Sequence, residues 1–175
     1  MRNVLLVCML GASLTGCTSK KEPESGAKAE DSPKVDHEAE GRRAALGLLR
    51  EYVDAFKAVA TSANASAGRE FLVDLRKKAV STHHLPEEFE RRYFTMLDAW
   101  IAMLAPKTGK GADPKRREKI EAFVKSAGGP DAKFDPDGGI AGVAKLFVQE
   151  VVALHLLLDP SASPDDVHEK YFPQR

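Results

Sequence analysis

The chain has 175 residues, and its 26 Lys and Arg are balanced by 26 Asp and Glu, so the formal net charge at pH 7 is zero. This balance argues against nucleic-acid binding, which depends on an excess of basic residues. The hydrophobic fraction of 43% is enough for one packed domain, and the two cysteines are too few for a disulfide-rich scaffold.

The first sixteen residues have the pattern of an export signal. Arg2 supplies a short positive start, and residues 4–14 form an apolar run of eleven residues. A helix that spans a bilayer core needs about 20 apolar residues, so this run is too short for a transmembrane anchor. A positive start, an apolar run and small residues in this order predict a signal peptide that is removed from the mature protein.

A cysteine directly follows the apolar run, in the sequence Leu14-Thr15-Gly16-Cys17. These four residues resemble the lipobox of bacterial lipoproteins. The resemblance covers the export signal alone. It implies cleavage between Gly16 and Cys17, a diacylglyceryl group on the Cys17 sulfur and usually an acyl chain on the new amino terminus. Two or three acyl chains, at about 0.8 kcal/mol for each buried methylene, hold a protein firmly on its membrane.

The alternative is an ordinary secretory signal in which Cys17 is incidental. If Cys17 is acylated, the mature chain has no free thiol, because Cys8 is lost with the signal peptide. Thr18 follows the cysteine, at the position where many lipoproteins retained at the inner membrane of enteric bacteria carry an aspartate. We therefore expect a lipid-anchored protein of the cell envelope, located at the outer membrane if the cell has one.

Residues 17–40 are expected to hold the lipidated cysteine and a flexible polar tether. From residue 18 to residue 40 there is no aromatic residue, and Val35 is the only large aliphatic one. Such a segment buries too little apolar surface to offset the entropy of ordering, and as a coil it spans about 25 Å. Its seven acidic residues outnumber its four lysines, which argues against binding of the tether to anionic headgroups.

Residues 41–175 are predicted to form an all-α domain, an irregular bundle of about five helices followed by a short C-terminal helix. Apolar residues recur at spacings of three and four, and no stretch alternates for long enough to indicate a strand. The third helix has the widest apolar face, from Phe89 to Leu104, and is expected to be the spine of the core. The helices are predicted at about 37–62, 67–81, 86–105, 113–127, 139–159 and 163–172.

Several local signals place the helix ends and the buried faces. Asp113 and Ser163 are each followed by proline, which predicts an N-cap with proline at the first helical position. In the second helix, one side is predicted to hold Phe71, Leu72, Leu75 and Ala79. The loop at 131–138 has the acidic composition of a calcium site, but an EF-hand register would put Lys133 and Ala144 at the first and twelfth positions. We expect a turn there, with Asp137 as a cap.

The sequence offers little catalytic or metal-binding chemistry. No two histidines are separated by four residues, the spacing of a zinc-binding helix. His83 and His84 are expected to be solvated or to cap a helix. His155 lies among apolar residues with Asp159 one turn later, which indicates a polar core position or, alternatively, a ligand position. Because no nucleophile motif and no phosphate-binding loop occurs, we expect no enzyme activity, no metal ligands and no cofactor.

Three short basic runs stand out in the helical part of the chain. Each is diluted by nearby acidic residues, so we interpret all three as solvated helix faces. The alternative is that two of them combine into a patch that binds a partner. The three runs are Arg76-Lys77-Lys78, Arg91-Arg92 and Lys115-Arg116-Arg117.

Two functional hypotheses follow. In the first, the helical domain is an adaptor that binds or stabilises an envelope protein, with a partner helix docked in an exposed apolar groove. This architecture is similar to that of pilotins, the small helical lipoproteins that serve secretin channels, although no motif carries the likeness. In the second, the bundle binds a small apolar ligand or a haem-like cofactor in a core cavity, lined by His155, Met96, Met103 or Trp100.

Overall fold

A computed structural model describes residues 36–61, 65–133 and 139–173. The chain divides into two units, residues 1–34 and 35–175. All of the described residues belong to the second unit. The described residues form six helices and no strand, which confirms the predicted all-α class. None of these helices is both long and apolar enough to span a bilayer. They are α1 (His37–Thr61), α2 (Ala65–Val80), α3 (Glu87–Leu104), α4 (Arg116–Gly128), α5 (Gly139–Leu158) and α6 (Pro164–Tyr171).

The first three helices form two antiparallel hairpins. Lys78 on α2 pairs with Glu51 on α1, and Arg76 on α2 pairs with Asp98 on α3. As a result α1 and α3 run parallel. The Tyr93 hydroxyl donates to the Leu48 carbonyl at 3.0 Å. The amino-terminal ends of α1 and α3 therefore lie at the same end of the bundle.

The prediction that α3 is the spine of the core is confirmed. It packs against α2, α4 and α5, and more than half of its residues are buried, because apolar side chains recur on three sides of the helix. The buried residues of α3 are Phe89, Tyr93, Met96, Leu97, Ala99, Trp100, Ile101, Ala102, Met103 and Leu104.

Aromatic rings join α3 to its neighbours on α4 and α5. Phe147 stacks on Trp100 with ring centroids 4.2 Å apart and on Phe123 with centroids 4.3 Å apart. Phe56 on α1 packs edge-on against Trp100 at 5.3 Å and against Phe172 at 6.3 Å. Each such pair contributes about 0.5–1.5 kcal/mol beyond its buried area. The rings fill the centre of the bundle.

A charged pair lies beside this aromatic cluster. Arg92 on α3 donates to both carboxylate oxygens of Glu150 on α5, from Nε at 2.8 Å and from Nη2 at 2.7 Å. Glu150 is only 2% exposed. A buried carboxylate requires such a partner, because its desolvation is costly otherwise. The two-pronged contact also sets how α5 is placed along α3.

Two local predictions are wrong. Asp113 and Pro114 do not begin the fourth helix, which starts at Arg116. The Asp113 carboxylate instead accepts from the Lys115 backbone N–H at 2.9 Å, an Asx turn that uses the oxygen a cap would use. Phe71 is 47% exposed and does not share the buried side of α2 with Leu72, Leu75 and Ala79. The main contacts of α2 are with α1 and α3, and a helix is buried only on the sides that face its neighbours.

The short helix α6 begins as predicted. Ser163 is its N-cap, its hydroxyl accepts from the Asp166 backbone N–H at 3.4 Å, and Pro164 follows the cap. Val167 and Tyr171 are buried and hold α6 against the bundle. The capped start explains how so short a helix is maintained next to α5.

Gly41 lies where the loop before α3 crosses the first turns of α1. A Cβ atom at this position would overlap the His84 backbone carbonyl, so the close approach of the loop to α1 requires glycine. Gly47, further along α1, is exposed, and a Cβ there meets no atom within 4 Å. Both glycines lie in α1, but only Gly41 is in close contact with another part of the chain.

We predict that Gly41→Ala lowers the free energy of unfolding by about 1–3 kcal/mol, because the added methyl forces a backbone shift. Gly47→Ala is the matched control and should raise it by about 0.5–1 kcal/mol, the usual gain of alanine over glycine in a helix. Urea unfolding of both variants measures the difference. Equal stability of the two would contradict the close approach at Gly41.

Candidate functional site

Several residues singled out in the sequence lie outside the described part of the chain. Gly16 and Cys17, the predicted cleavage and lipidation residues, are among them, and so is Asp137 in the loop before α5. The predictions for these residues stay predictions. Residues 37–40 fall within the predicted tether, which ends at residue 40, but in the structure they belong to α1.

His83 and His84 lie in the loop between α2 and α3 and are both exposed. His84 has a positive φ of 62°, and its ring stacks on that of His37 with centroids 4.4 Å apart. Among the described residues, no group of three or more His, Cys, Asp or Glu side chains is placed to hold a metal ion. His84 therefore joins the loop to the start of α1 through its ring contact with His37.

The candidate functional site is a cleft between α5 and α6, with a volume of about 450 Å³. Its floor is apolar and comes from α5, and its rim is polar, with Lys145 and Gln149 on α5 and Asp165 and His168 on α6. An apolar floor inside a polar rim is the usual arrangement of a binding surface. The floor residues are Val148, Val152, Ala153 and Leu156.

The cleft exists because α5 is apolar on nearly every side while its cover is short. One stripe of α5, which includes Phe147, Val151 and Leu154, is buried in the core. The opposite side is also apolar and faces α6. With 20 residues, α5 is about 30 Å long, whereas the 8 residues of α6 cover only about 12 Å. Part of the apolar side of α5 is therefore left partly exposed.

Two other exposed apolar side chains, Phe71 and Val80, belong to α2, which does not line the cleft. The large apolar side chains that are most exposed in the described residues are Phe71, Val80 and Leu157. Phe71 and Val80 are nine residues apart on α2, which places them on opposite sides of that helix. The cleft thus forms an apolar recess separate from the exposed apolar side chains of α2.

His155, the predicted polar core or ligand position, is buried at the end of α5. Its Nδ1 lies 3.0 Å from the Tyr171 hydroxyl on α6. The neighbouring Asp159 does not pair with it, and the Asp159 carboxylate accepts from Ser161 instead. Burial lowers the pKa of His155, nearby Lys170 lowers it further and Asp159 opposes the shift. His155 thus holds α6 on α5 as a neutral ring.

The residues proposed to line a core cavity do not meet around the cleft. None of Met96, Trp100, Met103 or His155 belongs to its lining. Trp100 is packed against Phe56 and Phe147, and burial raises the pKa of the neighbouring Tyr52. The Trp100 side chain lies close enough to the Tyr52 hydroxyl to oppose part of this rise in the pKa. The aromatic cluster occupies the space that the ligand hypothesis assigns to a cofactor.

The Arg92–Glu150 pair contradicts the interpretation of Arg92 as part of a solvated face, because Arg92 is mostly buried against Glu150. A signal was present. Glu150 lies three residues after Phe147 and four before Leu154, on the buried stripe of α5. A carboxylate at such a position indicates a buried cation on a neighbouring helix. The sequence does not say which arginine or lysine supplies it.

No protein-family model, curated protein or solved structure matches the chain.

We predict that part of the pH dependence of stability comes from His155. Because the pKa of His155 is lowered from its ordinary value of 6.5, the unfolded chain takes up the proton first as the pH falls. The contribution of the neutral His155 ring to the free energy of unfolding is therefore complete above the ordinary pKa and is lost as the pH falls below it. Urea unfolding between about pH 8 and pH 5 should show a smaller pH dependence for His155→Gln than for the parent chain.

The matched control is His83→Gln, which removes an exposed imidazole and should keep the pH dependence of the parent chain. An unchanged pH dependence in His155→Gln would contradict the buried, neutral state of that ring.

Proposed function

We propose that this chain is a lipid-anchored protein of the bacterial cell envelope whose helical domain binds another envelope protein. It acts by binding and not by catalysis. The proposal joins two parts, an anchor at Cys17 and a docking cleft between α5 and α6. The sequence supports the first part, and the geometry of the cleft supports the second.

The anchor rests on the order of features in the first 17 residues. A positive start, an apolar run, two small residues and a cysteine follow one another at the spacing of a lipobox. Acylation at Cys17 supplies two or three chains, enough for lasting membrane attachment, whereas one chain alone binds reversibly. Thr18 favours the outer membrane where the cell has one.

The cleft between α5 and α6 is the observation that carries partner binding. From Lys145 to Leu156 its α5 side is about 17 Å long, which matches three turns of a helix. The occupant is an amphipathic helix of the partner, with apolar side chains repeating at three and four residues to contact Val148, Val152 and Leu156. The polar rim then surrounds an apolar centre, as in other specific interfaces.

The ligand-binding alternative is the weaker proposal. It requires space next to Trp100, where Phe56 and Phe147 are in contact with the indole ring. It also requires His155 as a free ligand, whereas the Nδ1 atom of His155 is in contact with the Tyr171 hydroxyl.

We predict that the chain, extracted from its native membrane in mild detergent, migrates as a discrete complex with a stoichiometric second protein. Ala153→Arg should weaken that complex by about 30-fold, because a long charged side chain fills the cleft at an estimated cost of about 2 kcal/mol. Native gel electrophoresis with protein identification measures this. The matched control is Ala122→Arg, an equivalent change on the exposed side of α4, which should leave the complex intact.

Two results would contradict the proposal in different places. A solitary chain of monomer mass in the parent sample would overturn stable partner binding. A complex that survives Ala153→Arg as well as Ala122→Arg would show that the partner docks elsewhere. Thermal unfolding of both variants verifies that the helical domain is folded in each comparison.

A further inference from the structure

We infer that the loop between α3 and α4 contacts the anionic phospholipid headgroups of the membrane that carries the anchor. We call this loop the basic loop, because it contains Lys107, Lys110 and Lys115. The inference extends the proposed function, since the membrane in question is the one to which Cys17 attaches the chain. None of these lysines lines the α5–α6 cleft.

The lysines of the basic loop are exposed and have no ionic partner among the described residues. The only acidic residue between α3 and α4 is Asp113, and it is already engaged by Lys119, whose Nζ lies 2.8 Å from its carboxylate. That hydrogen bond is the main reason why the pKa of Asp113 is lowered. No acidic side chain in the loop is therefore free to neutralise the lysines.

The charge here is locally concentrated in a chain that is neutral as a whole. Six basic residues and two acidic ones fall between positions 106 and 119. The base of the loop is fixed, because Arg116 donates to the Ala102 carbonyl at 3.0 Å at the end of α3. Gly109 and Gly111, with φ of 80° and 90°, supply the left-handed backbone conformations that the exposed part of the loop requires.

The opposite end of α3 has a different charge pattern, because acidic side chains there pair with arginines. In the first turns of α3 and α1, which lie at the same end, Glu88 pairs with Arg91 and Glu38 pairs with Arg42. The 18 residues of α3 separate the two ends by about 27 Å. An anionic surface thus attracts the end with the unpaired lysines of the basic loop more strongly than the other end, which orients the domain.

The chain between the anchor and the domain is long enough for this orientation. Residues 18–35 lie between Cys17 and Asp36, and eighteen residues can span at most about 60 Å. That reach exceeds the length of α3, so the basic loop can meet the bilayer even though Asp36 lies at the other end of the bundle.

The chemistry of the loop suits a lipid surface better than an acidic protein. From residue 107 to residue 112 there is no aromatic or large apolar side chain that could anchor in a protein pocket. Lysines on a mobile stem, without a bidentate arginine fork, match the diffuse charge of headgroup phosphates. Each lysine near an anionic bilayer strengthens binding by about fivefold.

The test uses the mature chain from residue 17 with Cys17→Ala, so that no acyl group contributes to binding. It is sedimented with vesicles of phosphatidylcholine alone or mixed with phosphatidylglycerol. We expect binding to the anionic vesicles only, weakened by salt. Replacing Lys107, Lys110 and Lys115 by glutamine should reduce binding by about 100-fold, from about fivefold for each lysine.

The matched control replaces Lys77, Lys125 and Lys170, which are also exposed, so the net charge is the same in both triple variants. It should retain most of the binding. Equal losses in the two triple variants, or no preference for anionic vesicles, would overturn the inference. Neither result bears on the anchor proposal, because the protein in this assay carries no acyl chain. For the same reason, failure of acylation at Cys17 would not alter the vesicle result.

Discussion

The structure depends on the contact between α3 and α5, where an ion pair is set beside stacked aromatic rings. Arg92 and Glu150 contact each other through two hydrogen bonds, and Trp100 stacks on Phe147 less than one turn of α5 away. Removal of one partner from a buried pair typically costs about 3–5 kcal/mol. The aromatic stack buries apolar surface between α3 and α5. The charged pair fixes the position of α5 along α3, because a shift by one turn would leave the Glu150 carboxylate unpaired in the core.

The same contact determines where the cleft lies. With Phe147, Glu150 and Leu154 turned toward α3, the remaining apolar side of α5 is left for α6, which is too short to cover it. His155 then holds α6 in place through Tyr171. The cleft is thus a consequence of an apolar helix with a short cover, and the basic loop at the far end of α3 is independent of it.

Much of this fold was predictable from the spacing of apolar residues, because helix formation and the choice of a buried face are local properties. The Ser163 cap was predictable for the same reason. Phe71 and Glu150 show the limit of that approach, since the exposure of the first and the partner of the second depend on which helices are neighbours. The cleft could not be predicted either, because it arises from the relative lengths of α5 and α6 after packing.

The central claim is that the helical domain is held on a membrane through Cys17, and the mass of the protein extracted from its own membrane tests it most directly. The account predicts a mature chain that begins at Cys17, with the added mass of a diacylglyceryl group on this first residue. Fragmentation should place that mass on the amino-terminal peptide. A mature chain that begins at another residue, or an unmodified Cys17, would contradict the account.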